Sequence, residues 1–393
     1  MDTQKNKKWI DGVLSHTLVA LLAAIAATFL VLTMVREEPK APTKLDALEQ
    51  LILNNFVGEA DQTLMGDAAA DAMISALGDR WSYYISAEEF ADYQEQKQNA
   101  YVGVGVTITQ RQDGTGLDVI EVSKGGSAEE AGILPGDVIV GVGEQRIAGM
   151  ELDDIRNLIR GKEGTTVEIT VLREEKEHTY TVTRKQIHTP AATGQMVAKD
   201  IGLVRIVNFN SGCSEETIAA IEDLMKQGAK KIIFDVRNNP GGYASELEKV
   251  LDYLLPEVCL FQMEDNLGNK SESTSDERCL QIPMAVLVNG SSYSAAELFA
   301  AALWEHDAAL LVGEQTTGKG YYQLTYTLPD GSAVGLSVGK YFTPKGNHLE
   351  GIGLTPDKVV PVDEKMAAAI YAGTLDPKDD YQIQAAIAAL NEK

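Results

Sequence analysis

Residues 284–323 read MAVLVNGSSYSAAELFAAALWEHDAALLVGEQTTGKGYYQ. Residues 284–289 are apolar and β-branched, the pattern of a buried strand, and residues 295–304 are strong helix formers. Residues 308–312 form a second buried-strand run. A strand, a helix and a strand thus follow one another within this short stretch. The glycine- and serine-rich turn between the first strand and the helix places Ser294 at a sharp elbow.

The first backbone N–H groups of a helix have no partner within it and point, with the positive end of the dipole, at any anion forming beside the turn. A nucleophilic hydroxyl at Ser294 would have the Ala295 N–H as a natural oxyanion donor. The plainer alternative is a helix cap, in which Ser292 or Ser294 is the N-cap and Glu297 completes a capping box to Ser294.

A serine hydroxyl needs a base, and histidine is the usual one. His306 lies along the same helix at roughly 18 Å from Ser294, taking about 1.5 Å per residue, which is out of hydrogen-bond reach. It reads as a helix C-terminal residue. His348 stays a second candidate, with no evident orienting acid beside it. Lys319 competes better, because the turn over residues 313–320 delivers it among small residues that allow another backbone to approach closely. A lysine is protonated at neutral pH unless burial without a carboxylate partner disfavours its charge, so this chemistry requires a buried, unpaired amine. Gln323, four residues on, can accept from that amine without adding charge.

Residues 313–319 also match G-x-x-x-x-G-K, the phosphate-cradling loop of nucleotide hydrolases. Gly320 stands where that motif needs Ser or Thr for Mg²⁺, and the alternating residues after it read as a strand where the motif needs a helix. A G-x-S-x-G elbow is excluded too, since Ser292 and Ala296 occupy its glycine positions. A second oxyanion donor is expected from Asn239-Pro-Gly-Gly, which follows an apolar strand and lets Gly241 or Gly242 present a bare N–H.

With these residues in view, the chain resembles the carboxyl-terminal processing, or tail-specific, proteases. Their nucleophile segment reads like Ser-Ala-Ser-Ala-Ser-Glu, and here it is Ser292-Tyr-Ser294-Ala-Ala-Glu297, with Tyr293 in place of the usual alanine. Their Thr-Phe-Gly-Lys-Gly appears as Thr316-Thr-Gly-Lys319-Gly, and the glutamine four residues later is Gln323. The resemblance implies a Ser294 nucleophile, a Lys319 general base oriented by Gln323, and an oxyanion loop within Arg237-Asn-Asn-Pro-Gly-Gly242. An acidic residue some members carry after the serine as aspartate is Glu305 here. The implied fold is a crotonase-like or Clp-protease-like β/α core, with no metal and no cofactor.

Upstream, Tyr101-Val102-Gly103-Val104-Gly105-Val106 resembles the carboxylate-binding loop of a PDZ domain, and the stretch from Gly126 to Asp137 resembles the bacterial PDZ signature that follows it. Consecutive amides in such a loop form a nest for a terminal carboxylate, and the neighbouring strand edge can accept an extended peptide. The residues 151–160 read as the helical wall of this groove, and 166–173 and 178–184 as strands that close the domain.

The net charge is −24, with 58 acidic against 34 basic residues and no long basic run, which argues against a nucleic-acid or anionic-lipid surface. Cys213, Cys259 and Cys279 show no metal-ligand spacing and allow one disulfide. Residues 13–35 contain no Asp, Glu, Lys or Arg, a run long enough to cross a hydrocarbon core of about 30 Å. They are expected to be an uncleaved signal anchor, although Ala24-Ile-Ala26 resembles a cleavage site. Leu45, Leu48, Leu51, Ile52 and Phe56 fall at helical spacing and read as core. The family resemblance implies dimerisation through this segment and through the C-terminal helices.

The expected organisation is thus a multi-domain α/β chain. It has a tail at 1–12, a transmembrane anchor at 13–35, a linker and helical segment at 36–98, a PDZ domain at 99–186, a protease core at 187–362 and a helical end at 363–393. The expected activity is serine endopeptidase action outside the cytoplasm, at the cell membrane, on proteins chosen by a free C-terminal tail, with a homodimer as the working form and no nucleic-acid partner. The rival is a PDZ-bearing membrane scaffold whose core is inactive or released by a partner.

Overall fold

In a computed structural model of the chain, residues 42–392 apart from Gln112 are described. The expected anchor at 13–35 lies outside them. Among the described residues no helix is long and apolar enough to cross a membrane. The chain divides into two units at Ala70 and Asp71.

The described part of the first unit is helical. Thr43 caps the helix Lys44–Asn55, accepting from the Asp46 N–H at 3.3 Å while the Asp46 carboxylate accepts from the Thr43 N–H at 2.8 Å. The helix Gln62–Ser75 begins in this unit and runs across the division. The leucine stripe is not core: Leu48, Leu51 and Phe56 are exposed, and the first helix buries no residue. Helical periodicity reports an apolar face, and says nothing about what covers it.

Within the second unit, a six-stranded antiparallel sheet runs in the order Val106–Gln110, Leu117–Val122, Val138–Val142, Thr166–Arg173, Lys176–Thr183, with the short strand Gln145–Arg146 paired to Val138–Val142. Thr166–Arg173 buries Val167, Ile169 and Val171 and exposes Thr166 and Glu168 between them, the alternation of a half-buried strand. The helices Ser127–Ala131 and Leu152–Ile159 add Ala128, Ile155 and Ile159 to the same core. The chain enters along Ala100–Gly103 and leaves along Lys185–His188, and these two strands pair antiparallel to close the module at its neck. Buried Asp137 takes two contacts from Arg173 at 2.6 and 2.7 Å and the Leu134 N–H at 2.9 Å, pinning the turn the sequence signature carries.

The larger body holds a second sheet ordered Ala192–Ala198, Ile201–Ile206, Lys231–Asp235, Met284–Val288, Ala309–Gly313, Lys358–Val359. The first pair is antiparallel and the rest are parallel. Strands covered on both faces read as near-continuous apolar runs, and the inner strands Met284–Val288 and Ala309–Gly313 do. Ile232, Phe234, Val286 and Val288 pack under the helices Cys213–Lys226, Ala244–Leu254 and Ala295–Glu305, while Ile233, Ala285 and Leu287 face Ile383, Ala386 and Leu390 of the helix Tyr381–Glu392. A further antiparallel sheet joins Tyr83–Ile85, Ala333–Phe342, Cys259–Asp265, Lys270–Thr274 and Tyr321–Thr327.

Three neighbouring parallel strands end at Asp235, Val288 and Gly313. Their carboxyl-terminal loops carry Gly241, Ser294 and Lys319 respectively, so the sheet order alone brings the three candidate segments together.

Candidate active site

Ser294 has φ 61° and ψ −123°, a region that residues with a Cβ rarely adopt. Several contacts hold it there. The Ser292 hydroxyl donates to the Val236 carbonyl at 2.7 Å and accepts the Asn289 N–H at 3.0 Å, tying two strand ends to the turn. The Tyr293 N–H donates to the Asn239 carbonyl at 3.1 Å. Asn289 and Asn238 cross-brace the serine and oxyanion loops, with the Asn238 N–H on Asn289 Oδ1 at 3.0 Å and Asn289 Nδ2 on Asn238 Oδ1 at 2.9 Å. Ser294 is thus a strained, partly buried serine at a strand-to-helix elbow, held by its surroundings in a geometry open to nucleophilic chemistry.

Glu297, one turn into the helix, is fully buried and takes four donors. One oxygen accepts the Ser294 N–H at 3.1 Å and the Lys319 N–H at 2.9 Å; the other accepts the Gly318 N–H at 2.8 Å and the Thr316 hydroxyl. Burial pushes its carboxyl above the usual range, against the opposing pull of these donors. The capping-box reading of Glu297 is therefore part of a larger role, in which one carboxylate fixes both candidate catalytic loops.

The two glycines of the candidate oxyanion loop differ in the state of their N–H groups. Gly241, at φ +88°, donates its N–H to Asn239 Oδ1 at 2.8 Å, so that group is engaged. Among the described residues the Gly242 and Ala295 N–H groups donate to no other group. A Cβ at Gly241 would lie 2.8 Å from Ser294 Cβ and 2.9 Å from the Ala295 nitrogen. Only a glycine leaves the space over the serine open.

Lys319 is largely buried, and burial, followed by the charge of Lys97, pulls its amine down to about 8; Asp79, Glu350 and Glu297 pull the other way. Its Nζ lies 4.9 Å from the Trp81 ring centroid and 5.8 Å from that of Tyr293. Among the described residues it forms no ion pair, and no hydrogen bond joins it to Ser294 Oγ or to Gln323. Gln323 lines the same cleft, but its amide nitrogen donates to the Tyr321 carbonyl at 3.1 Å and Ser337 Oγ at 3.0 Å.

The lysine loop is clamped from outside by residues that sequence spacing did not single out. Arg80 donates to the Gly318 carbonyl at 2.7 Å and pairs with Glu350 at 3.1 Å. Trp81 Nε1 reaches Glu350 at 3.0 Å, and the Gly320 N–H reaches it at 2.8 Å. Trp81 stacks on Tyr293, and the Tyr341 hydroxyl donates to the Lys319 carbonyl. The available signal was the aromatic cluster Asp79-Arg-Trp-Ser-Tyr-Tyr84, which the family resemblance reads as the usual end of the helical, dimerisation-like segment.

Ser294, Ala295, Gly241, Gly242, Lys319 and Gln323 border one cleft of about 1100 Å³. The two candidate histidines, His306 and His348, do not border this cleft. His306 Nε2 bonds the Cys259 carbonyl at 2.7 Å, and His348 Nδ1 bonds the Tyr341 carbonyl at 3.2 Å, its ring packed on Tyr321 and Phe342. Glu305 is buried against Thr343, Lys345 and Asn347, where it holds a turn. The three cysteines are free, and burial pushes the Cys213 thiol up to about 12. Among the described residues no cluster of His, Cys, Asp and Glu is placed to hold a metal ion.

In the smaller module, Tyr101, Gly103, Val104, Gly105 and Val106 line a groove of about 250 Å³ walled by Ile159 and Arg160. Val102 does not line it; its N–H bonds Glu95 at 3.3 Å. Gly105, at φ +80°, turns the chain between the two strands.

Residues 200–360 match Peptidase family S41, and residues 119–173 match the PDZ domain. A CtpA-like serine protease of Staphylococcus haemolyticus is 30% identical over 344 residues, an alignment spanning 86% of this chain and 68% of that protein. One from Staphylococcus saprophyticus is 29% identical over 377 residues, covering 91% of this chain and 76% of the relative. The solved structure of an S41 protease from Bacteroides fragilis superimposes with a TM-score of 0.50 at 14% identity, over 87% of this chain and 100% of that one, a likeness of fold.

Proposed function

Because the chain belongs to peptidase family S41, and is a serine-type peptidase with a PDZ domain, we propose that it is an endopeptidase working through a Ser294/Lys319 dyad on proteins selected by their C-terminal tails. The observation that carries the dyad is the Lys319 amine, buried without an ion pair and lowered to about 8, in the cleft that Ser294 borders.

In this reading Ser294 Oγ attacks the scissile carbonyl carbon and neutral Lys319 takes its proton. The Ala295 and Gly242 N–H groups receive the oxyanion, which collapses to an acyl-enzyme as the lysinium passes the proton to the leaving amine. Water, deprotonated by the same lysine, then hydrolyses the ester. Gln323, whose amide nitrogen is held by Tyr321 and Ser337, would orient the amine through its side-chain oxygen. The test is cleavage of an unfolded protein by the parent, Ser294→Ala, Lys319→Ala and Lys319→Arg. All three variants should be inactive, since arginine cannot be neutral; turnover by Lys319→Arg would remove lysine from the mechanism.

Tail recognition rests on the groove at Gly103–Val106, whose amides suit a terminal carboxylate. Equal cleavage of a substrate and its C-terminally amidated form would count against it. The apolar residues 13–35 support anchorage with the catalytic part outside the cytoplasm, and the exposed leucines of Lys44–Asn55 support self-association. Membrane fractionation with external protease protection, and light scattering with and without residues 36–70, test these two points.

A second reading has one observation in its favour: the Lys319 amine rests against Trp81 and Tyr293 and is not bonded to Ser294 Oγ. The core would then be latent until a tail or partner protein moves it. A lag in cleavage that a tail peptide abolishes would support latency, and full initial velocity without one would dismiss it.

A further inference from the structure

The cleft beside Ser294 is lined by two cations, Lys319 and Lys97, and by no Asp or Glu, in a chain where acidic residues number 58 against 34 basic. Lys97 ends the helix Ala87–Lys97, and its Nζ lies 5.5 Å from the Tyr93 ring centroid and 5.7 Å from that of Tyr243. Tyr243 directly follows Gly242, so this ammonium stands beside the oxyanion loop.

Of the four acids on the same helix, Glu88 lies exposed in its first turn, at the end away from Lys97, and the other three are engaged elsewhere. Asp92 pairs with Arg160 at 3.4 Å, Glu95 accepts the Val102 N–H at 3.3 Å, and Glu89 caps the helix start through Ser86. Among the described residues no carboxylate pairs with Lys97. A half-buried ammonium held against two aromatic faces has lost part of its hydration and gained no counter-charge. Its charge is felt at Lys319, where it is the second cause, after burial, of the lowered amine. Lys319 cannot serve as base and remain a cation, which leaves Lys97 as the standing positive charge of the cleft.

We infer that Lys97 is a specificity-determining residue that pairs with a carboxylate of the bound polypeptide near the scissile bond, so that the cleft prefers acidic substrates. The inference rests on the reading of this cleft as the peptidase site. The carboxylate can belong to an Asp or Glu side chain or to the free C-terminus of a short substrate; both present the same chemistry to an ammonium. In a protein of such negative charge, a local positive cleft also draws acidic segments out of an otherwise repelling field.

The test uses the full chain and neutral peptides in which one Asp is stepped through the positions flanking the scissile bond, each matched to its Asn counterpart and to a C-terminally amidated form. At the responsive position the parent should favour Asp on the order of tenfold in kcat/KM, the size of one charge-assisted contact. Lys97→Met, which keeps the aliphatic packing, should bring that ratio close to one, and Lys97→Arg should keep it. Loss of preference on amidation, with no response to Asn, would assign the carboxylate to the C-terminus and support the pairing equally. A parent ratio near one for every pair, or an unchanged ratio in Lys97→Met, overturns the inference. Peptide affinity measured by anisotropy on Ser294→Ala should show the same ratios without turnover. Cleavage by Ser294→Ala would sink the nucleophile assignment alone, with the Lys97 ratio still decided by the other enzymes.

Discussion

The Glu297 carboxylate accepts the Lys319 N–H at 2.9 Å, on the same oxygen that accepts the Ser294 N–H at 3.1 Å. Two loops from different strands are thus registered on one buried atom. All four groups around this carboxylate are donors, so Glu297→Gln would turn an amide NH₂ against two of them. We expect kcat to fall about 100-fold with KM within a few-fold, because the loops carrying the dyad shift while the cleft walls remain. Steady-state kinetics on a single peptide decide this, and a variant with parental kcat would show that the loops are held by other means.

The activity should rise with pH through about 8, where Lys319 loses its proton. The groups facing the amine are Lys97, which lowers its affinity for the proton after burial does, and Asp79, Glu350 and Glu297, which raise it. Lys97→Met removes the like charge and should move the rising limb of kcat/KM to higher pH. A limb that stays in place in Lys97→Met would mean that Lys97 is too well screened to act on the base.

The same lowered amine makes a statement about stability. Between about 8 in the folded chain and the ordinary value of about 10.4 in the unfolded one, the unfolded state binds more protons, so this group makes stability increase as pH rises through that window. Lys319→Met removes a buried charge and should raise Tm at pH 7, with the gain shrinking as pH climbs past the window. Thermal melts of both proteins across pH test it; a gain independent of pH would place the effect in packing instead.

What could be read from the chain alone follows from where the partners lie. The strand–helix–strand run at 284–313 and the alternating strand Thr166–Arg173 are local patterns, and both form as read. Turn chemistry and the family motifs both named Gly241, Ser294 and Lys319, but their convergence depends on three strands lying side by side, which no local pattern shows. The Trp81–Glu350 contact joins residues 269 positions apart, and nothing in either neighbourhood announces the other. Gln323 sits at a register shift in its strand, and the partners of its amide nitrogen, Tyr321 and Ser337, are set by that pairing and not by the spacing to Lys319. Gly241 was offered equally with Gly242, since a turn sequence does not show that the Asn239 side chain engages the first N–H.

Gly241 and Gly242 should respond differently to alanine. At Gly242 a Cβ would lie 2.3 Å from the Phe209 carbonyl carbon and oxygen, backbone atoms of the strand-end bridge that anchors the loop. Gly242→Ala should therefore lower Tm by several degrees as well as abolish activity, the penalty of forcing backbone apart. At Gly241 the new methyl would meet Ser294 Cβ and the Ala295 nitrogen, both at the mouth of the site. That methyl would stand over the proposed oxyanion position, so Gly241→Ala should lose at least about 100-fold in kcat, the cost of disabling one oxyanion donor, with the smaller fall in Tm of the two. Parallel melts and kinetics separate the cases: comparable activity in Gly241→Ala and the parent would move the oxyanion away from the Ala295 N–H and with it the direction from which Ser294 attacks.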